Sequence, residues 1–201
     1  LIPNKDHIDD LEKCLHSLWA KTSWDNFEVI VIENNSTDPE TFAYYQKAQQ
    51  CYDGLRVVTY PKKGFNFSGI NNFGRKYATG DYLLLLNNDV EVRNADWLTE
   101  LLRQCAHPGG AAICGAELFY PDETLQHAGV ITGLGGYAGH SHKYKKAGGS
   151  GYMFRAATVQ DLSAVTGACL LAKTSVWDEM GGLDEAFAVA FNDVDFCLRV
   201  R

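Results

Sequence analysis

Five apolar residues in a row, Tyr82-Leu83-Leu84-Leu85-Leu86, give way without transition to Asn87-Asn88-Asp89. A run this short and wholly apolar is the pattern of a strand covered on both faces, as in a parallel sheet packed between helices. The rest of the first half agrees. Ile8, Leu11, Leu15 and Leu18 recur at steps of three and four, so Asp6 to about Ala20 reads as an amphipathic helix. Phe27 to Ile32 and Leu55 to Tyr60 read as strands. Thr37 and Glu40 stand at capping-box spacing with Pro39 between them, which opens a second helix. Ser68 to Ala78 and Trp97 to Cys105 read as further helices, and Ala111 to Phe119 as a strand. This alternation implies an α/β fold with a mostly parallel sheet flanked by helices. Such sheets take ligands beyond the carboxyl ends of their strands.

The second half lacks that rhythm. Gly129 to Gly151 holds many glycines, three lysines and two histidines, and reads as a mobile surface segment that a ligand can order. Val159 to Val165 and Ala168 to Ala172 read as strands. Thr174 to Met180 reads as a short helix broken by Gly181-Gly182. No repeat or low-complexity linker divides the chain, so residues 1–201 form one domain.

Composition narrows the function. Apolar residues make up 46% and charged residues 21%, an ordinary globular balance. Eighteen basic against twenty-five acidic side chains leave a net charge of −7, which argues against nucleic acid as a partner. Six cysteines stand singly, with no C-x-x-C pair, and read as reduced buried thiols, hence a cytoplasmic protein. No run approaches the ~18 apolar residues of a membrane span. The chain opens without methionine at Leu1-Ile2-Pro3, in the tail of a strand, and stops at Arg201 inside a helix, so it reads as truncated at both ends.

Three places carry candidate chemistry. Asn87-Asn88-Asp89 lies where a strand ends, and Asp89 can hold a divalent cation, Mg²⁺ or Mn²⁺, that bridges to substrate phosphates. A plain strand-end turn uses the same residue types. Glu33-Asn34 also follows a strand, and its carboxylate and amide can read a nucleobase or ribose, although the residues from Ser36 to Asp38 suit simple capping. Asp193 and Asp195 open a helix after Gly181-Gly182-Leu183-Asp184-Glu185. There Asp193 can take a proton from an acceptor hydroxyl, while acids at a helix start also answer to the helix dipole. His140-x-His142, with His127 upstream, lacks the further ligands of a zinc site and reads as solvent-facing or acceptor-contacting loop. The lysines 143, 145 and 146 read as a solvated face, or as a contact for an anionic lipid-linked acceptor or membrane surface.

In order and spacing, Ile2-Pro3-Asn4, Val29 to Asp38, Ala78 to Asp89 and Gly181 to Arg199 resemble the inverting family-2 glycosyltransferases of GT-A, Rossmann-like fold. Phe65-Asn66-Phe67-Ser68 with Asn71-Asn72, and Gln126-His127-Ala128-Gly129, resemble the subgroup that builds bacterial surface polysaccharides, including rhamnosyltransferases. The resemblance implies that a sugar moves from a nucleotide-diphosphate donor to a glycan or lipid-linked acceptor. It implies that Pro3, Glu33 and Asn34 line the nucleotide pocket, with Asn87 and Asn88 beside them, and that Asn72 lies near the base or ribose. Asp89 matches the last acid of the family's D-x-D motif and holds the metal, and Asp193 matches the catalytic base. Gly181 and Gly182 match the acceptor-side loop, and Asp195 supports the base or binds acceptor. The nucleotide-binding half then covers about 1–117 and the acceptor-side half about 118–201. Work at the inner face of the membrane, through peripheral association of the full-length protein, fits such an acceptor. The first position of the metal motif is Asn87 and not an acid, which leaves one carboxylate there, with Glu91 two residues beyond Asp89. Two alternatives stand beside this reading. One is a non-catalytic carbohydrate-binding module on the same fold. The other is a sugar-phosphate nucleotidylyltransferase, which needs a basic glycine-rich loop where this chain has Pro3-Asn4-Lys5-Asp6-His7.

Overall fold

The computed structural model describes residues 1–201. Six strands build the central sheet: β1 (Ile2–Asn4), β2 (Val29–Glu33), β3 (Leu55–Thr59), β4 (Tyr82–Leu86), β5 (Ile113–Gly115) and β10 (Cys169–Lys173). They pair as β3-β2-β1 and β4-β10-β5. Leu1 joins the two sets: its nitrogen donates to Leu84 O at 2.7 Å, and Leu86 N donates to Leu1 O at 3.0 Å. That slanted pattern around Leu85 is parallel pairing. β1, β2 and β3 are parallel, whereas β10 runs antiparallel to both β4 and β5.

The pleat sorts the strand residues into two cores. Val29 and Val31 of β2, Leu86 of β4 and Leu171 of β10 face one side. There they meet Leu11, Cys14 and Leu15 of α1 (Ile8–Lys21), Tyr44 and Tyr45 of α2 (Pro39–Cys51), and Leu101 and Cys105 of α4 (Trp97–Ala106). Ile30, Ile32, Leu83, Leu85 and Leu170 face the other. They meet Ile70 of α3 (Phe67–Arg75), Trp177 of α5 (Thr174–Glu179) and Phe196 of α6 (Asn192–Val200). Each Leu or Ile buried this way contributes about 1.5–3 kcal/mol, which is why four leucines in succession can only be a central strand.

Several boundaries differ from the sequence reading. Asp38, and not Thr37, caps α2: its side chain accepts from Glu40 N, while Thr37 N donates to Asp6. The strand expected over 111–119 is two pieces, β5 and β6 (Leu118–Phe119), because the chain leaves β10 after Gly115 to pair with β7 (Leu125–His127). Residues 159–165 are not a strand and make one isolated bridge, Val130 to Ala164. The glycine-rich segment is folded: β8 (Val130–Thr132) and β9 (Ala138–His140) form a hairpin, and Leu125 and Val130 are buried. Glycines hid it, since the turns they permit break any period in the sequence.

The six cysteines are free, four of them buried, as the sequence suggested. Burial pushes the Cys169 thiol up to about 12, so it is inert as a nucleophile. No helix is long and apolar enough to cross a membrane.

Candidate active site

The parallel strands deliver their last residues to one edge, and hydrogen bonds stitch that edge together. Asn4, at the end of β1, pairs in register with Glu33 at the end of β2. Asn34 N donates to Asn4 O at 2.8 Å. The buried Asn4 amide spends both its ends: Nδ2 donates to Asp6 O and Tyr45 Oη, and Oδ1 accepts from Asn88 Nδ2 at 2.6 Å. Pro3 therefore lies half-buried in β1, and the Asn87-Asn88-Asp89 turn is tied to it through Asn88.

Glu33 and Asn34 are each 2% exposed. Glu33 Oε1 accepts the Ser36 N–H and so folds the chain back, while Glu33 Oε2 is buried without a partner. A buried acceptor left unpaired costs about 1–3 kcal/mol, and a ligand N–H or O–H is the kind of group that relieves it. Asn34 Oδ1 accepts from Asn35, whose backbone sits at φ 59.

Asp89 is the opposite case. Its carboxylate is exposed and makes no hydrogen bond or ion pair within the chain. No set of three His, Cys, Asp or Glu side chains gathers to hold a metal. One free carboxylate beside amide oxygens fits a hard divalent cation that takes its remaining ligands from a diphosphate and water, and does not fit a closed protein cage.

β10 connects this edge to the other candidate acid. Because β10 is antiparallel to β4, its amino end lies at the carboxyl end of β4, with Cys169 opposite Leu86. The turn that precedes it, Thr166-Gly167-Ala168, therefore lies on the ligand edge. Asn87 N donates to Ala168 O at 3.1 Å, and Gly167 N donates to Asp193 Oδ2 at 2.9 Å. So Asn87 and Asp193 flank the same three residues, and the two ends of the site share one edge although 100 residues of chain lie between them. A Cβ on Gly167 would stand 3.2 Å from the Phe67 ring, which would have to give by a few tenths of an ångström. Asp193 is half-buried: Oδ1 accepts Val194 N, and Phe191 at the helix cap is held at φ 63.

The loop from 181 to 188 is clamped beside it. Asn72 Nδ2 donates to Leu183 O at 2.8 Å, and its Oδ1 accepts Leu183 N at 2.9 Å. Both ends of that amide are used, and they position the Gly181-Gly182 turn. Gly182 has φ 77, and a Cβ on it would lie 2.4 Å from Asn72 Oδ1, so only glycine fits. Asp195 accepts from Arg199 Nε at 2.8 Å, and the guanidinium donates on to Met180 O and Gly182 O. Asp195 therefore holds the turn through Arg199.

Sequence reasoning missed Asp6, whose carboxylate accepts from Thr37 N, Asp38 N and the Thr41 hydroxyl. Those bonds, the Asp38 N–H foremost, hold its carboxyl below the usual range. No local signal marks it, because its partners are 31 to 35 residues away. Of the two readings of the histidines, solvent-facing or acceptor-contacting, the first does not hold for His127. His127 is 1% exposed and its Nδ1 lies 2.8 Å from Nδ1 of His140, while His142 Nδ1 meets the Ser141 hydroxyl. A cavity of about 590 Å³ lies at the amino ends of β1, β2 and β4, lined by Leu1, Trp24, Tyr82 and Trp97. It is the edge remote from Glu33 and Asp89 and has no part in this site.

Residues 1–162 match the model described as glycosyl transferase family 2. The uncharacterized protein y4gI of Sinorhizobium fredii is 40% identical over 202 residues, covering 100% of this chain and 22% of its own length. The O-antigen biosynthesis protein RfbC of Myxococcus xanthus is 39% identical over 202 residues, covering 100% of this chain and 16% of its own. The chain thus spans 22% and 16% of the length of these relatives. Among solved structures, the mannosyltransferase PcManGT from Pyrobaculum calidifontis, in complex with GDP-Man and Mn²⁺, superposes with a TM-score of 0.72 at 14% identity, covering 99% of this chain and 50% of that one. S. aureus TarS 1-349 in complex with UDP-GlcNAc gives 0.66 at 16% identity, covering 99% and 51%. At those identities they establish the fold, which is GT-A. The match over four-fifths of the chain and the full-length relatedness at about 40% establish more: this chain belongs to glycosyl transferase family 2.

Proposed function

We propose that residues 1–201 are a single catalytic domain that moves a sugar, with inversion, from a nucleotide-diphosphate donor to a hydroxyl of a glycan or lipid-linked acceptor, in the building of a bacterial surface polysaccharide. The observation that carries it is the Thr166-Gly167-Ala168 turn, bonded to Asn87 on one side and to the Asp193 carboxylate on the other. A leaving-group site and a base need to lie on one edge for a single displacement, and here one turn joins them.

The family resemblance suggests the roles, and the geometry supports them. Glu33, with its unpaired oxygen, and Asn34 receive the nucleoside beside Pro3. Asp89, with Asn87 and Asn88 near it, would hold a divalent cation, Mn²⁺ or Mg²⁺. That cation, when bound, offsets charge on the departing phosphate. Asp193 accepts the proton of the acceptor hydroxyl, whose oxygen attacks the anomeric carbon from the face opposite the diphosphate. The bond from anomeric carbon to diphosphate breaks as the new one forms, so the centre inverts and no enzyme nucleophile is needed. The half up to about residue 117 serves the donor and the rest serves the acceptor. The name of the Myxococcus relative and the nucleotide sugars in the GT-A neighbours support this assignment.

Calorimetry with UDP-, GDP- and dTDP-sugars, with and without Mn²⁺, tests it. One donor should bind, and bind more tightly with the metal. If none binds under either condition, the proposal fails.

A further inference from the structure

His127 is committed at both ring nitrogens. Its Nε2 lies 3.2 Å from Gly129 N and 3.4 Å from Thr166 N. A backbone N–H can only donate, so Nε2 carries the lone pair. Burial, with His140 adding to it, pushes the His127 pKa down to about 3, so the ring is neutral and its one proton sits on Nδ1. That Nδ1 lies 2.8 Å from Nδ1 of His140, with the rings edge to face at 83°. The proton is donated across this gap, so His140 Nδ1 must be the acceptor. His140 is held below the ordinary histidine range by burial first and Lys143 next, against the pull of Asp193, and is neutral too. Its own proton is then on Nε2, which makes no hydrogen bond within the chain.

The pair and the candidate base share a support. Consecutive amides of one turn, Thr166 and Gly167, hold His127 and Asp193 respectively. His140 ends β9, close enough to Asp193 to feel its charge, and a cavity of about 530 Å³ lined by Tyr137, Phe187 and Phe191, though not by His140 itself, lies between that hairpin and α6. Tyr137 is 82% exposed and lies 6.4 Å from Phe191, centroid to centroid. Exposed aromatic faces of this kind suit the apolar face of a sugar ring.

We propose that the His127–His140 pair is an acceptor-binding device, in which His127 locks the tautomer of His140 so that its Nε2–H is a fixed hydrogen-bond donor to the attacking hydroxyl oxygen beside Asp193. This rests on the glycosyl-transfer reading. The attacking oxygen has two lone pairs: one accepts from His140 and the other forms the new bond, while the hydroxyl proton passes to Asp193. His140 keeps its proton throughout. A neutral donor suits the task, because an imidazolium at the same place would stabilise the Asp193 carboxylate and weaken it as a base.

Two measurements test it separately from the glycosyl-transfer reading. Ring-nitrogen NMR of the whole chain, without ligand, should show His127 protonated on Nδ1 and His140 on Nε2, both neutral at pH 7. A His140 that is cationic there, or protonated on Nδ1, overturns the lock. Hydrolysis of the donor identified by calorimetry, with water as acceptor, reads the function. His140→Ala should lower kcat about tenfold with donor KM unchanged, and His140→Gln, whose amide nitrogen reaches near the same place, should recover most of it. Equal hydrolysis by His140→Ala and the unaltered chain overturns the acceptor role. If the unaltered chain binds no donor, the glycosyl-transfer reading has failed and the acceptor role falls with it, whatever the tautomers.

Discussion

The proposed donor edge and the proposed acceptor side are built by different means. On the donor edge, Glu33, Asn34, Asn87 and Asp89 stand where strands end, aligned by the sheet together with the Asn4–Asn88 hydrogen bond. On the acceptor side no long strand exists. Asp193, the Gly181-Gly182 turn and the histidine pair are placed by side chains that grasp backbone far away in sequence: Asn72 on Leu183, Arg199 on Gly182, Asp193 on Gly167. The donor edge thus adjoins the core strands, while the acceptor side depends on individual hydrogen bonds. In such a scheme the donor edge stays constant while the acceptor side changes with few substitutions.

Four experiments sharpen or break that contrast. The largest effect is expected at Asp193. Asp193→Asn keeps the shape and should lower turnover by about 10²–10⁴ while donor affinity stays within about twofold. Loss of donor binding in that variant would dissolve the division between the two sides.

Acid comes next. His127 is neutral in the fold down to about pH 3, but its unfolded counterpart takes up a proton near 6.5. Between those values the unfolded chain binds more protons, so stability falls as pH drops through 6.5 and goes on falling toward 3. About 2 kcal/mol should be gone by pH 5. Urea unfolding at pH 7.5 and pH 5 measures it, and His127→Leu should remove this part of the slope. An unchanged slope would mean that the histidine pair does not resist protonation.

Asp89→Ala should weaken nucleotide binding in Mn²⁺ by about tenfold, or about 1.4 kcal/mol, and leave metal-free binding as it was. Since Asp89 has no partner in the chain, the melting temperature should not move. Equal affinities with Mn²⁺ would place the cation elsewhere.

The smallest effect is expected at Asp195. Its pair with Arg199 is partly exposed, so Asp195→Asn should cost less than about 1 kcal/mol in stability. Acceptor-dependent turnover should fall more than donor hydrolysis, because Arg199 steadies Gly182. A larger loss in hydrolysis would move Asp195 to the donor side.

The chain's own pattern determined the sheet, its flanking helices and the donor-edge residues. Apolar runs of five can be satisfied only between two layers, and the polar residues that end them can lie only at the edge. Even the exceptions are instructive. The strand Cys169–Lys173 was legible, but its antiparallel direction was not, because an apolar run looks alike read either way. That direction is what carries Gly167 to the donor edge and Asp193 with it.

Tertiary structure alone decided the acceptor side. The sequence singled out Asp193, Asn72 and the histidines as residue types, without the partners that fix their side chains. Only the fold shows that Asn72 is consumed by Leu183 and that His127 is sealed beneath His140. A hydrogen bond between residues 26 or 111 positions apart leaves no periodic trace, since it needs one donor and one acceptor and no repeat. Burial of apolar surface is collective and writes itself along the chain; directional polar contacts are single events, fixed only once the collective packing has brought their partners together.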